Sequence, residues 1–408
     1  MNRRVVVTGM AGISPLGNDW ATIRGRLGAY RNAVVRMEDW AGYEGLNTNL
    51  AAPAAPFELS PRFNRKSMRS MGRVALMATR ASELALQEAG LLDHPLLTSG
   101  AMGVSFGSSA GTPSAIGDFG RMMEERSTRG INATTYIKMM AHTAPVNIGV
   151  FFGITGRVYT TSSACTSGSQ GIGYAYEAIR SGKQIAMLAG GAEELDATEA
   201  AVFDTLFATS TRNDAPHTSP RPFDADRDGL VIGEGAGALV LEEREHALAR
   251  GATIHAEIVG FGTNSDGVHV TQPNADTMKT AMLLALQDAA LDPAAIGYVN
   301  AHGTGTAQGD IAESHATAGV FGNGVPISSL KSYMGHTLGA CGALEAWLSI
   351  EMMREGWFAP TINLAQVDAA CAPLDFITGQ GRALQCDHVM SNNFAFGGIN
   401  TSLIFKRV

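Results

Sequence analysis

Short apolar runs, many rich in Val and Ile, recur along the chain, and most are closed by glycine. Residues 4–8, 101–107, 185–189, 233–242, 253–262, 297–301 and 327–330 each have the length and composition of a buried strand. Between them lie stretches with helical spacing. One ends near Arg180, an amphipathic one covers 277–290, and one opens after Lys331 and continues to about Met353. Residues 116–123 and 139–152 are further helical candidates, rich in Met, and 401–405 reads as a closing strand. Residues 40–60 have no period and read as a loop. Strand alternating with helix predicts an α/β fold. Each half opens on a strand and a glycine turn, V-V-T-G-M and I-V-G-F-G. The spacing therefore predicts an internal duplication, with halves at 1–251 and 252–408.

Gly9, Gly12 and Gly17 follow the first strand and read as a strand–helix turn. A dinucleotide site is disfavoured there, because the spacing is not G-x-G-x-x-G and no Tyr-x-x-x-Lys pair occurs in the chain. The 48 glycines, mostly in clusters at predicted turns, point to many tight connections. With 45% hydrophobic and 17% charged residues, the 408-residue chain can bury a large core. A net charge of −8 argues against a nucleic-acid partner. The four cysteines, 165, 341, 371 and 386, form no C-x-x-C pair, so neither a metal site nor a disulfide framework is expected, and a reducing cytoplasm fits. The start, Met1-Asn2-Arg3-Arg4-Val5, runs into a Gly-interrupted segment too short for a leader, and no run of 18 apolar residues would span a membrane. Against this acidic background Arg62, Arg65, Lys66, Arg69, Arg73 and Arg80 recur at helical spacing, with no acidic residue from 59 to 82. They predict a basic helix face, either simply solvated or able to steer a small acidic partner.

The candidate chemistry centres on T-S-S-A-C-T-S-G-S-Q, residues 161–170. Cys165 falls where a turn opens into a helix, so the positive end of the helix dipole should favour thiolate. The small neighbours Ser163, Ala164, Ser167 and Gly168 would leave room for a substrate. The plain alternative is a buried Cys acting as a small hydrophobe. His302 and His336 follow consecutive strands, and loops after parallel strands gather at one sheet edge. A thiol and two imidazoles suit acyl chemistry at a thioester: one attacks, the others donate hydrogen bonds or manage protons.

Four motifs, T-S-S-A-C-T-S-G-S, A-H-G-T-G-T-x-x-G-D-x-x-E, K-S-x-x-G-H-x-L-G-A-x-G-A-x-E and N-N-F-A-F-G-G-x-N, stand in order along the chain. Together they resemble the β-ketoacyl-[acyl-carrier-protein] synthases of the elongating type. The resemblance implies a thiolase fold, five layers α-β-α-β-α from two pseudo-duplicated halves, usually a homodimer or else a heterodimer with a homologous subunit. It implies decarboxylative condensation of an acyl group with a malonyl thioester on acyl carrier protein, with no cofactor and no metal, in fatty-acid or polyketide-type elongation. Cys165 would be acylated, and His302 and His336 would bind the malonyl carbonyl. Lys331 and Glu345 match the family's buried charged pair. The N–H groups of Cys165 and Phe396 would form the oxyanion hole, Phe396 also being the gating aromatic. Thr304, Thr306, Asp310 and Asn400 would hold loops. Ala110 would replace a bulky gate in the acyl pocket, and the Met-rich segments would either fill the core or line an acyl tunnel. Arg65, Lys66, Arg69 and Arg73 would dock the carrier, while Phe207 stands where relatives carry an Arg. A chain-length-factor-like subunit, which usually lacks the nucleophile, and a degradative thiolase, which needs a second Cys in C-x-G, fit less well.

Overall fold

The structure is a computed structural model that describes residues 3–408; Met1 and Asn2, the first residues of the start weighed as a leader, lie outside them. Eleven strands form one sheet: β1 (Val5–Ile13), β2 (Met102–Gly107), β3 (Val158–Thr160), β4 (Ala186–Glu193), β5 (Gly235–Glu243), β6 (Ala256–Ser265), β7 (Tyr298–Asn300), β8 (Pro326–Ser328), β9 (Asp375–Phe376), β10 (His388–Ala395) and β11 (Ile399–Lys406). Their order is β9-β8-β7-β10-β11-β6-β1-β5-β4-β2-β3. Strands from the first half of the chain therefore lie on one side and those from the second half on the other. They meet where β1 and β6 pair antiparallel, Val5 opposite Ile258. Parallel pairing is confined to two groups, β3-β2-β4 on one side and β9-β8-β7-β10 on the other.

Helices α1 (Arg73–Glu88) and α2 (Thr143–Phe152) cover the outer face of the first half. Helices α4 (Ala275–Ala289) and α5 (Ala307–Phe321) pack outside the second. Between the two halves lie α3 (Ser167–Arg180) and α6 (Cys341–Glu355), packed on each other and on strands of both. The result is the five-layered α-β-α-β-α thiolase arrangement. Helix α6 is buried on every side from Cys341 to Met353, as a helix enclosed between the two halves of the sheet must be.

Two expectations fail here for physical reasons. The predicted glycine turns after residues 4–8 and within 253–262 are strand: β1 runs on to Ile13 and β6 to Ser265. A Cβ on Gly9 would sit 2.2 Å from the Ala85 carbonyl oxygen, and one on Gly260 would sit 2.4 Å from that of Ala285. These glycines admit an outer helix against each half rather than bending the chain. The basic helix is also shorter than its spacing suggests. Residues 61–70 form turns, and α1 begins only at Arg73. Arg62 pairs with Asp93, Arg80 with Glu83, and Arg73 with Glu234. Arg65, Lys66 and Arg69 are exposed and have no ion-pair partner among the described residues. No helix among the described residues is long and apolar enough to cross a membrane.

Candidate active site

Cys165 follows β3 in a single 3-10 turn, Ala164–Thr166, immediately before α3. Hydroxyls hold that turn: Thr161 Oγ1 donates to the Ser167 carbonyl at 2.8 Å, and Ser167 Oγ to the Ala164 carbonyl at 2.7 Å. Ala164 takes a left-handed φ of 49°, which turns the next residue towards the sheet edge. Of the small neighbours, Gly168 serves packing. A Cβ on Gly168 would lie 2.9 Å from both Ala343 N and the Gly339 carbonyl oxygen, so this glycine lets the start of α6 approach.

His302, His336 and Phe396 come from loops after β7, β8 and β10, three neighbouring parallel strands, so all three leave the same sheet edge. The His336 Nε2 lies 3.0 Å from Cys165 Sγ. The ligand-capable atoms of Cys165, His302 and His336 all lie within 4.8 Å of one another. The two imidazoles meet edge to face, centroids 5.1 Å apart at 89°. His336 is pinned through its backbone, its N–H donating to the Val231 carbonyl at 2.7 Å and its carbonyl accepting from Gly233 at 2.8 Å. The loop carrying His302 is pinned by carboxylates. Glu313 accepts from the His302 and Gly303 N–H groups, each at 2.7 Å. Asp310 accepts from Thr304 and Gly305 N–H at 3.1 and 3.2 Å, and from Phe223 N–H at 2.7 Å. Thr304 and Thr306 share a hydroxyl contact at 3.0 Å. Asn400, on β11, donates to Asp266 at 2.7 Å and steadies the loop after β6. These hydrogen bonds tie Thr304, Thr306, Asp310 and Asn400 to the loops around the site.

Burial dominates the electrostatics. It pushes the Cys165 thiol up to about 11, against the lowering effect of the Phe396 N–H and of Lys331. The expected thiolate is not favoured: the loss of water around a sulfur anion outweighs what the Phe396 N–H and Lys331 give back, and the resting group is a thiol. Burial, reinforced by the Lys331 charge, holds both imidazoles well below the ordinary histidine value. At neutral pH the trio is uncharged. Lys331 and Glu345 lie behind it, wholly buried and in direct contact, with Asn393 donating to Glu345 at 2.7 Å. Burial pulls Lys331 down, and Glu345 more than restores it.

A cavity of about 570 Å³ reaches this trio, and Phe203, Phe207, Phe396 and Met278 contribute to its wall. Phe203 and Phe396 stack with centroids 4.9 Å apart. Phe207 is 88% exposed. Ala110 is not on this wall; its N–H lies 3.3 Å from the buried Glu193 carboxylate, so a roomier pocket at Ala110 gains no support. Neither Met-rich segment reaches the wall. Glu313 closes the second motif but is given no role in the sequence reading, and Phe203 is not singled out there at all. Glu313 had a signal: it lies three residues after Asp310 at the start of a helix, which puts both carboxylates on the face towards the His302 loop. Phe203 had none.

A buried thiol facing two neutral imidazoles at one sheet edge has the make-up of a thiol-dependent acyl-transfer site. The beta-ketoacyl synthase N-terminal domain family matches residues 2–247 and the beta-ketoacyl synthase C-terminal domain family residues 255–365. The chain belongs to the beta-ketoacyl synthases. It is 38% identical to 3-oxoacyl-[acyl-carrier-protein] synthase 1 of Haemophilus influenzae, over 99% of each chain. It superimposes on a beta-ketoacyl synthase from Burkholderia phymatum with a TM-score of 0.98 and 62% identity, over 100% of each chain. A type II polyketide ketosynthase in complex with its acyl-carrier protein superimposes with a TM-score of 0.87 at 31% identity, again over 100% of each chain.

Proposed function

We propose that this synthase condenses an acyl group with malonyl-[acyl-carrier-protein] by way of an acyl thioester on Cys165. The observation that carries the reading is the 3.0 Å contact between Cys165 Sγ and His336 Nε2, with His302 in the same shell. Because the sulfur rests protonated, attack needs a base, and His336 Nε2 is in reach. It takes the thiol proton as Sγ adds to the acyl-carrier thioester. The Cys165 and Phe396 N–H groups, both of which act on the sulfur, are placed to receive the oxyanion. The imidazolium then gives up its Nδ1 proton and keeps the one on Nε2, and the departing carrier thiolate gains one, leaving acyl-Cys165.

Malonyl-carrier enters next. The imidazoles, each protonated on the nitrogen facing the cavity, donate to its thioester carbonyl. The bond to the carboxylate breaks, CO2 leaves, and its electron pair becomes the enolate. The enolate carbon attacks the acyl-Cys165 carbonyl, and the sulfur departs and takes up one proton. The product is a β-ketoacyl carrier longer by two carbons. Neutral imidazoles suit this sequence, since a cation there would hold the malonyl carboxylate in place rather than release it.

Arg73 is already committed to Glu234, so carrier docking falls to the unpaired Arg65, Lys66 and Arg69. The edge strand β3, with exposed positions and one unpaired side, supports assembly as a homodimer; the cytoplasm is the compartment that the free thiols fit. The test is the intact mass of the enzyme after incubation with a panel of saturated and keto-bearing acyl carriers, then condensation with malonyl-carrier. A single acyl adduct on Cys165 and loss of condensation in Cys165→Ala are expected. Condensation retained in Cys165→Ala overturns the reading.

A further inference from the structure

The acyl-transfer trio has a second chemical identity. Its three donor atoms, one sulfur and two imidazole nitrogens, lie within 4.8 Å of one another in a buried site that opens to a cavity. We propose that Cys165, His302 and His336 bind one zinc ion, and that this binding switches the enzyme off.

The donor set selects the metal. One thiolate and two imidazoles suit a borderline-soft cation such as Zn2+, whereas Mg2+ and Ca2+ require oxygen ligands. Geometry then sets how far the site must move. Zinc bonds of about 2.3 Å to sulfur and 2.0–2.1 Å to nitrogen place tetrahedral donors about 3.3–3.6 Å apart. The Sγ–Nε2 separation of 3.0 Å must open slightly and the longer spans close by about 1 Å, within side-chain adjustment. Three protein ligands leave a fourth position facing the cavity, open to water. The sulfur coordinates as thiolate, so the ion takes the place of the proton on Sγ. Lys331 is the cation that opposes the metal, and its charge is matched by Glu345 in direct contact. The chain segments separating the three ligands have no metal-site spacing, so sequence reading excluded what the fold assembles.

The metal site rests on geometry alone. The inhibition rests also on Cys165 being the acylated sulfur, since a sulfur bound to zinc cannot attack. The test uses the full-length enzyme and Co2+ as the spectroscopic probe, with Mg2+ as control. Expected are a 1:1 titration with a near-ultraviolet sulfur-to-cobalt charge-transfer band and visible bands of tetrahedral intensity. Cys165→Ser should lose the charge-transfer band, while His302→Ala and His336→Ala should each weaken binding by about tenfold or more. With Zn2+ at ten times its Kd, acylation of Cys165 should fall about elevenfold and recover with EDTA. Absence of the band in the wild type overturns the site. So does a band that persists in Cys165→Ser, which would assign the metal to Cys341, Cys371 or Cys386. Cobalt affinity unchanged in both histidine variants does the same. If Cys165 is never acylated even without metal, the condensing reading fails while the cobalt spectrum still decides the site.

Discussion

Replacing Lys331 by methionine isolates what the buried ion pair contributes. Lys331 and Glu345 are wholly buried and in direct contact, and Asn393 and Asn300 also donate to the Glu345 carboxylate. Removing one partner of such a pair costs about 3–5 kcal/mol, because the other charge stays buried and uncompensated. Removing both with apolar residues of similar size is nearly neutral. Lys331→Met should therefore be destabilised by about 3–5 kcal/mol at pH 8, and the double variant with Glu345→Leu should recover most of that. The pH dependence has a definite sign. Burial already raises the Glu345 carboxyl, and without Lys331 it rises further. A carboxyl whose folded value lies above its unfolded value, about 4.3, keeps its full stability below that value and loses it as pH climbs through the folded one. The single variant should thus approach wild type near pH 4 and fall away towards pH 8. Denaturant midpoints at the two pH values read this directly. The same Lys331 charge lowers both imidazoles, so its loss should also move the acid limb of the pH–rate profile upwards. A double variant as unstable as the single one, or a single variant costing under about 1 kcal/mol at pH 8, would refute the reasoning.

Three further outcomes follow from the same geometry. Because burial pushes the thiol up to about 11, alkylation of Cys165 by iodoacetamide, followed by peptide mass, should climb about tenfold per pH unit up to pH 10; a plateau near neutrality would restore the thiolate. Glu313→Ala frees two N–H groups of the His302 loop and should slow malonyl decarboxylation by about two orders of magnitude, while acylation of Cys165 is spared; equal losses in both steps would show that Glu313 acts on the whole fold. Gly9→Ala drives a methyl to 2.2 Å from the Ala85 carbonyl oxygen and should cost about 1–3 kcal/mol by thermal melting. Gly25→Ala, with no atom within 4 Å of its Cβ on an outer helix, is the matched control and should gain up to about 1 kcal/mol.

The alternation of strand and helix was readable because each element carries its own period. Helix α4, expected at 277–290, spans Ala275–Ala289. What a glycine does was not readable, because the reason lies in another element: Gly9 answers to Ala85 and Gly260 to Ala285, far apart in sequence. The start of α1 was misplaced for a related reason, since arginines at helical spacing look alike whether they lie on a helix or in turns. The three candidate residues could be singled out because each sits in a short motif at a strand end, and the fold brings them together. Their protonation was misjudged, because a dipole is visible in sequence whereas burial is a property of the assembled site.

That misjudgement changes how the chemistry is driven. A site built on a resting thiolate would hold a charge before substrate arrives and would react with any electrophile that entered. Here the thiol and both imidazoles rest neutral, and the nearby Lys331 charge is matched by Glu345. On the proposed mechanism, negative charge arises only during reaction, first on a thioester oxygen and then on the enolate. The groups that receive it, two backbone N–H groups and two imidazoles, are already fixed by the turn before α3, by Val231 and Gly233, and by Glu313. Donors held this way cost no reorganisation when the charge appears, and the surrounding low dielectric strengthens them. The burial that suppresses the free thiolate therefore also strengthens the stabilisation of each anion formed from it. Selectivity for thioesters delivered through the cavity follows from the same cause.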